Sequence, residues 1–140
     1  METKNRVLIV GSGGREHAFA WKISQSEKVE RIFVAPGNAG TEGEAKTKNV
    51  DISPNDIDSL IKFSKSKNIN LVVVGPENPL VNGITDQFNA AGINCFGPSA
   101  EAAKLEGSKG YSKMFMQKYD IPTANFSTFD DIFEAQDYAK

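Results

Sequence analysis

The chain has 140 residues, of which 39% are hydrophobic and 24% charged, with a formal net charge of -2. These values predict a globular protein with a real core, and they give no electrostatic case for binding nucleic acid or a membrane surface. The apolar runs are of strand length, and residues 1–6 lack the apolar segment of a signal peptide. A single cysteine excludes an intrachain disulfide, and one cysteine with one histidine argues against structural zinc. We therefore expect a cytoplasmic protein without a metal site in this chain.

The first predicted elements are a strand, a glycine turn and a helix. Residues 7–10 (VLIV) are typical of a buried strand, and Gly11, Gly13 and Gly14 then interrupt the apolar run. Apolar residues resume on one side of a helix that fades near residues 24–26. Glycines allow a ligand to come close, and the helix N-terminus favours an anionic group, so the pattern predicts a nucleotide or sugar phosphate there. A turn that binds nothing is the alternative.

The glycine turn is only a partial dinucleotide-binding motif. Glu16 stands where the third glycine belongs, and no Gly-Lys-Ser/Thr of a Walker A loop follows. The second predicted strand, residues 29–35, ends at Pro36 without the carboxylate that would hold a ribose. A smaller phosphorylated molecule is therefore favoured over a nicotinamide cofactor.

The remaining elements of the first part alternate between strands and helices. In order they are strand 29–35, a glycine-rich loop at 36–43, a short extended piece at 49–52, a helix with Ser53 as N-cap and Pro54 at its first position, strand 70–74, one helix containing Leu80, Ile84 and Phe88, and strand 93–96. This order predicts a parallel sheet covered by helices on both faces, with a ligand beyond the carboxyl ends of the strands. The loops at 11–16, 36–41 and 75–79 should share that edge.

After residue 105 the sequence indicates a hinge and the first elements of a second domain. The features expected there are a helix from Ser99 to Leu105, a hinge at 106–110, a helix capped by Ser108 that carries Tyr111, Phe115 and Tyr119 as core side chains, a short strand at 126–128, and a helix that starts at 130–131. We expect a first domain at 1–104 and, at 105–140, a linker with the opening elements of a second, truncated domain.

Five motifs resemble, in the same order, those of the phosphoribosylamine–glycine ligase (glycinamide ribonucleotide synthetase) family. They are GSGGREH at 11–17, APGNAGT at 35–41, VGPE at 74–77, FGP at 96–98 and LEGSK at 105–109. The resemblance covers the whole chain and identifies it as the N-terminal domain of such a ligase. It implies a three-layer, Rossmann-like α/β domain with a parallel sheet, of the pre-ATP-grasp type, followed by the start of an ATP-grasp domain.

The resemblance also implies a reaction, an early step of de novo purine synthesis. ATP, glycine and 5-phosphoribosylamine give glycinamide ribonucleotide, ADP and phosphate, with glycine activated as an acyl phosphate. ATP and Mg²⁺ (or Mn²⁺) would bind mainly through regions beyond Lys140, so we expect this chain alone to be inactive and assign it no catalytic residue. Its partners would be the three small-molecule substrates, with no nucleic acid and no membrane.

The residues expected to bind phosphoribosylamine lie in the three loops. They are Gly13, Gly14, Arg15, Glu16, Pro36, Gly37, Asn38, Pro76 and Glu77. Glu16 would take a sugar hydroxyl or the amine, Asn38 would close over the sugar, and Glu77 would accept hydrogen bonds from ribose hydroxyls. The sugar phosphate has two candidate partners, the helix N-terminus after Gly14 and basic residues of the later domain.

Two further residues and two rival functions stay open. Lys109 lies where the resembled family places a lysine near the ATP phosphates, and a solvated hinge lysine is the alternative. His17 either contacts the ligand or packs under the loop. The rival functions are a non-catalytic nucleotide- or dinucleotide-binding Rossmann-like module, and a purely structural domain of a larger complex.

Overall fold

The computed structural model describes residues 4–140, and its chain divides into two compact units, one up to Ala103 and one from Lys104 to Lys140. Residues 1–3, part of the stretch at 1–6 that lacks the apolar segment of a signal peptide, lie outside the described residues. The elements, in order, are β1 (Asn5–Gly11), α1 (Gly14–Ser24), β2 (Val29–Pro36), α2 (Ala39–Glu42), β3 (Thr47–Asn49), α3 (Ile57–Ser66), β4 (Leu71–Val74), α4 (Glu77–Val81), α5 (Ile84–Ala90), β5 (Asn94–Phe96), α6 (Ala100–Gly107), α7 (Lys109–Lys118) and α8 (Ile132–Tyr138). No helix within residues 4–140 is both long and apolar enough to cross a membrane.

The first unit is built on a five-stranded sheet with the order β3-β2-β1-β4-β5. Every neighbouring pair is parallel, and β1 lies in the centre with β2 on one side and β4 on the other. The predicted parallel sheet is therefore confirmed. Parallel strands cannot be joined by tight hairpins, so each connection crosses over a face of the sheet, where helices bury the apolar side chains.

Alternation along β1 sends apolar side chains to both faces of the sheet. Val7 and Ile9 belong to one core cluster, which includes Ala20 of α1, whereas Leu8 and Val10 belong to the other. The second cluster contains the buried faces of α3 and α5, including Leu60, Ile84 and Phe88. Each such side chain contributes about 1.5–3 kcal/mol when it is fully buried. The three-layer arrangement expected from the sequence is confirmed.

The sheet has one strand more than the sequence analysis identified. β3 pairs with β2 through Thr47 and Asn49, and the extended piece predicted at 49–52 overlaps it by a single residue. The predicted loop at 36–43 contains the short helix α2, which begins because the Asn38 side chain accepts a hydrogen bond from the Thr41 N–H at 3.0 Å. β1 also begins at Asn5, two residues before the predicted strand.

The predicted start of α3 is wrong. The helix begins at Ile57 with Asp56 as its N-cap, and Asp56 accepts a hydrogen bond from the Ser59 N–H at 3.1 Å. Ser53 instead accepts a weak 3.3 Å bond from the Asn55 N–H, so Ser53 and Pro54 belong to a turn before the helix. Serine and aspartate are both common N-cap residues, and the local sequence does not show whether the chain uses Ser53 or Asp56.

The single helix predicted through Leu80, Ile84 and Phe88 is two helices, α4 and α5. Gly83 separates them with φ of 81°, in the left-handed region that breaks a right-handed helix. The apolar spacing survives the break because Ile84 and Phe88 lie in the same helix and both are buried.

The second unit departs from the sequence analysis in three respects. Helix α6 continues to Gly107 and α7 begins at Lys109, so the segment 106–110, predicted as a hinge, is helical except at Ser108. Helix α7 has no buried residue, and Tyr119 is 55% exposed, so the expectation of aromatic core side chains is wrong. Residues 126–128 form no strand.

Two helix starts of this unit are confirmed. The Ser108 side chain accepts a hydrogen bond from the Tyr111 N–H at 3.3 Å and caps α7. Asp131 caps α8 by accepting hydrogen bonds from the N–H groups of Phe133 and Glu134. Serine and aspartate at these positions act through contacts with residues two or three positions away, which is why the sequence predicted them.

Candidate functional site

The strand order of the sheet defines its topological switch point. The chain adds β2 and β3 on one side of β1, and then β4 and β5 on the other. In open parallel sheets, ligands bind at the carboxyl ends of the strands where the strand order reverses. Here that point lies between β1 and β4, and Gly11 ends β1 while Gly75 directly follows β4.

Direct contacts bring the three predicted loops together at this edge. The Gly37 N–H donates to the Gly11 carbonyl at 3.1 Å, and the Asn38 amide donates to the Ser12 carbonyl at 2.9 Å. The third loop joins through Glu77, whose carboxylate lies 3.1 Å from the Arg15 guanidinium. The loops at 11–16, 36–41 and 75–79 thus meet, as their places after the strands predicted.

The glycine turn leads into the N-terminus of α1. Gly13 is the N-cap, and Gly14 is the first helical residue. The first N–H groups of a helix have no intrahelical acceptor, so they carry partial positive charge at this edge. A Cβ at Gly14 would meet no non-neighbouring atom of the described chain within 4 Å. The backbone at Gly14 therefore faces open space.

Glu16 lies beneath this turn, although the sequence analysis placed it against the substrate. The residue is 3% exposed, and its Oε2 accepts a hydrogen bond from the Gly13 N–H at 2.5 Å. Oε1 is also buried and receives no hydrogen bond from residues 4–140. Its carboxylate thus faces the inside of the loops rather than solvent.

Arg15 and Glu77 form an exposed ion pair between two of the loops. Their side chains are 57% and 43% exposed, so both can be reached by a ligand. Glu77 is the first residue of α4, directly after the N-cap Pro76. Its own backbone N–H, and then the Arg15 guanidinium, hold the pKa of the Glu77 carboxyl below its usual range. Glu77 is therefore an ionised hydrogen-bond acceptor at neutral pH.

The second loop is held by a hydrogen-bond network rather than left open. Pro36 ends β2, and Gly37 has φ of 75° and lies so close to Asn49 that any Cβ there would overlap the Asn49 side chain. The Asn38 side-chain oxygen accepts a hydrogen bond from the Thr41 N–H, and the side-chain nitrogen donates to the Ser12 and Gly13 carbonyls. Asn38 thus joins two loops, and its side-chain groups are already used within the protein.

Sequence analysis missed Thr41 and Asn49 as parts of this network. Thr41 is fully buried, and its hydroxyl lies 2.7 Å from the Asn49 side-chain oxygen. The Asn49 amide donates to the Asn38 carbonyl at 2.7 Å. The spacing of Asn38 and Thr41 is that of an N-cap and the third helical residue, a signal that could have identified Thr41. No comparable local signal marks Asn49.

His17 packs against the second loop. Its Nε2 lies 2.8 Å from the Glu44 carboxylate, and a Cβ at Gly40 would lie 2.6 Å from the imidazole ring. Of the two alternatives for His17, the structure therefore shows the packing contact. The absence of a side chain at Gly40 is what lets the ring approach α2 this closely.

Two further residues, Lys109 and the single cysteine, are described by their own surroundings. Lys109 is the exposed first residue of α7, in the second unit. Burial raises the pKa of the Cys95 thiol to about 11, which keeps it protonated and argues against a nucleophile. Between residues 4 and 140, no three His, Cys, Asp or Glu side chains are grouped to hold a metal ion.

Fold and loop contacts together define a Rossmann-like α/β domain with three loops gathered at its strand-order reversal. Residues 5–106 match the family described as phosphoribosylglycinamide synthetase, N domain. The chain therefore belongs to this family.

Named relatives agree with the family match. The phosphoribosylamine–glycine ligase of Neisseria meningitidis serogroup B is 53% identical over 133 residues, which cover 95% of this chain and 31% of the relative. The ligase of Rhodopirellula baltica is 53% identical over 138 residues, covering 99% of this chain and 31% of the relative. The chain thus spans about a third of the length of these relatives.

Solved structures share the fold at low sequence identity. The biotin carboxylase domain of a single-chain bacterial carboxylase has a TM-score of 0.70 at 15% identity, over 97% of this chain and 34% of that one. The biotin carboxylase domain of the Hydrogenobacter thermophilus 2-oxoglutarate carboxylase, solved with MgADP and bicarbonate, has a TM-score of 0.70 at 16% identity, over 99% and 33%. At these identities the likeness concerns the fold.

Proposed function

We propose that this chain is the N-terminal part of a phosphoribosylamine–glycine ligase and that its sheet edge holds the phosphoribosylamine. The observation that carries the proposal is the identity of 53% over 95% of the chain to a relative of that name. The three loops at the switch point support it, because they place hydrogen-bonding groups where such a sheet binds its ligand.

The proposed reaction of the whole protein has two steps. A carboxylate oxygen of glycine attacks the γ-phosphorus of ATP, so that ADP leaves and an acyl phosphate of glycine forms. The amine nitrogen of phosphoribosylamine then attacks the acyl carbon, phosphate leaves with the activated oxygen, and the nitrogen loses a proton. The contribution of this chain is to bind the sugar amine and orient its nitrogen, which lowers the entropy cost of the second step.

Glu77 is the residue best placed to hold the sugar. Its carboxylate is exposed and ionised at the carboxyl end of β4, and one of its oxygens is bound by Arg15. We propose that the remaining lone pairs of this charged carboxylate accept hydrogen bonds from ribose hydroxyls. Open space at Gly14 would let the sugar approach the N-terminus of α1. Asn38, Gly37 and Pro36 would shape the opposite wall through the network of the second loop.

ATP and the metal ion are assigned to regions of the parent protein outside this chain. Within residues 4–140 no three His, Cys, Asp or Glu side chains are grouped to hold a metal ion, and we assign no residue of this chain to Mg²⁺ or Mn²⁺. We propose that residues 105–140 begin an ATP-grasp domain and that Lys109 reaches the ATP phosphates. The sugar phosphate keeps its two candidate partners, the N-terminus of α1 and basic residues of the later domain.

The test uses the full-length parent protein and this 140-residue chain side by side. Phosphate release by the parent should need glycine and phosphoribosylamine together for full turnover, and glycinamide ribonucleotide should accumulate in proportion. The 140-residue chain should show no turnover. Normal phosphate release without either substrate would contradict the ligase proposal.

A binding experiment separates this function from the rival dinucleotide-binding module. β2 ends in Ala35 and Pro36 without a carboxylate for a nicotinamide ribose, so we expect no saturable NAD or NADP binding by titration calorimetry. Micromolar dinucleotide binding, together with an inactive parent, would favour the rival. Absence of both activities would leave a purely structural domain as the better interpretation.

A further inference from the structure

The Glu16 side chain is too deeply buried to be reached by a substrate from solvent. It is 3% exposed, and its Oε2 accepts a hydrogen bond from the Gly13 N–H. Its Oε1 receives no hydrogen bond from the part of the chain that the structure describes. A buried carboxylate oxygen without a donor stabilises nothing by itself. What the residue contributes is therefore the bond through Oε2 and the volume that its side chain fills.

That volume lies between two loops of the site. A Cβ at Gly11, which ends β1, would lie 2.7 Å from both Cγ and Cδ of Glu16. A Cβ at Gly75, which follows β4, would overlap Oε1. The Glu16 side chain thus occupies the space above the ends of two adjacent strands, and these two glycines are what make room for it.

We infer that Glu16 is a positioning residue whose buried side chain sets the spacing of the loops that carry Arg15 and Glu77, and that it does not touch the sugar. Glu16 reaches back from the first turn of α1 and holds the glycine turn through the Gly13 N–H. Its other oxygen rests against the backbone at Gly75, two residues before Glu77. The kinetic part of this inference rests on the proposed function, whereas its steric part does not.

The steric part is tested by a double-mutant cycle on the stability of this chain. Gly75→Ala should lower the melting temperature by about 5 °C or more, because the new methyl group displaces Glu16. In a Glu16→Ala background the space is empty, so adding Gly75→Ala should cost less than about a third as much. Where Gly75→Ala alone fails to fold, the double variant should fold.

A matched glycine serves as the control for the added methyl group. Gly43 has φ of -81°, and a Cβ there would meet only ordinary contacts, the nearest being the Gly40 carbonyl at 3.5 Å. Gly43→Ala should have the same small effect with Glu16 and with Glu16→Ala. Equal costs of Gly75→Ala in the two backgrounds would overturn the steric part.

The kinetic part is tested in the full-length parent with two substitutions of Glu16. Glu16→Ala should raise the KM for phosphoribosylamine about tenfold and leave the KM values for ATP and glycine unchanged. Glu16→Gln keeps the shape and one acceptor for the Gly13 N–H, so its KM should stay within about threefold of the wild-type value. Equal KM increases in both variants would mean that the charge of Glu16 contacts the sugar, and the inference would fall.

The stability test and the ligase assay can contradict their hypotheses independently of each other. A parent protein without ligase activity would sink the proposed function, and the stability cycle would still decide whether Glu16 and Gly75 compete for one space. An additive stability cycle would sink the inference while leaving the ligase assay intact.

Discussion

Glu77 and Asp56 are both carboxylates at the start of a helix, and a backbone N–H is the largest cause of the lowered pKa of each. They differ in what surrounds them. Asp56 caps α3. Glu77, by contrast, also forms an ion pair with Arg15 of another loop, at the carboxyl edge of the sheet. The same local chemistry thus serves helix capping at Asp56 and leaves at Glu77 an exposed, ionised carboxylate, which we propose binds the sugar.

Glu77→Gln should raise the KM for phosphoribosylamine roughly tenfold in the full-length parent, because the neutral amide is a weaker acceptor for ribose hydroxyls. The KM values for ATP and glycine should stay near the wild-type values. Steady-state kinetics with each substrate varied in turn measures this.

The control for the Glu77 prediction is Arg15→Ala examined by thermal melting. Exposed ion pairs contribute little to stability, so neither Arg15→Ala nor Glu77→Gln should lower the melting temperature of this chain appreciably. Loss of stability at unchanged sugar affinity would show that Glu77 serves the start of α4 instead.

Asp56→Ala should lower the melting temperature by about 5 °C at neutral pH, whereas Ser53→Ala should change it by less than about 2 °C. The structure makes Asp56 the cap of α3 and leaves Ser53 in the preceding turn. A larger loss of melting temperature for Ser53→Ala than for Asp56→Ala would instead support Ser53 as the N-cap, as the sequence predicted.

The cap should also depend on pH. Because the pKa of Asp56 is lowered in the folded state, its stabilisation is complete above the unfolded pKa and is lost as pH falls through the folded pKa. The advantage of wild type over Asp56→Asn in melting temperature should therefore be constant above about pH 5 and shrink as pH falls below the usual aspartate pKa of 3.8. A difference that does not change with pH would contradict a charged cap.

At the scale of elements, the separation of α4 from α5 depends on one backbone conformation. Gly83 has φ of 81°, and the nearest atom to a Cβ there is the Ala100 methyl carbon at 3.7 Å. Space is therefore available for a side chain, and only the left-handed backbone opposes it.

Gly83→Ala should destabilise this chain by about 1 kcal/mol, and Gly83→Asn by less, because asparagine tolerates the left-handed region better. Urea denaturation measures the change. Gly43→Ala, at a glycine with φ of -81°, is the matched control and should be neutral or slightly stabilising. Equal effects at the two glycines would mean that the break does not depend on positive φ.

For the whole molecule, the two units differ in how much they bury. The first unit contains both core clusters, with Leu8, Ile9 and Phe88 fully buried. In the second unit, α7 and α8 have no buried residue, and Ile132 and Phe133 are 67% and 71% exposed. Few buried apolar contacts mean a low free energy of local opening.

Hydrogen exchange should therefore be faster throughout 109–140 than in β1, by about a hundredfold or more in protection factor. Exchange followed by mass spectrometry on the 140-residue chain measures this directly. Protection in α7 equal to that in β1 would show that the second unit is stabilised by contacts that its exposure does not reveal.

Sequence alone determined the alternation of strands and helices, the parallel sheet and the three loops at one edge. These follow from local patterns, since apolar periodicity separates strands from helices and parallel strands place the loops that follow them on one side. The cap Ser108 and the helix start at 130–131 were equally readable, because capping contacts lie within three positions along the chain.

Only the tertiary structure decided which polar residues of the loops are exposed at the sheet edge and which are buried beneath it. The sequence predicted a substrate contact for Glu16, and the structure shows its side chain buried against Gly75, which follows a strand about sixty residues away. Asn49 joined the site because β3 pairs with β2. A side chain's role at this edge depends on which backbone atoms distant segments bring against it, and no local pattern records that.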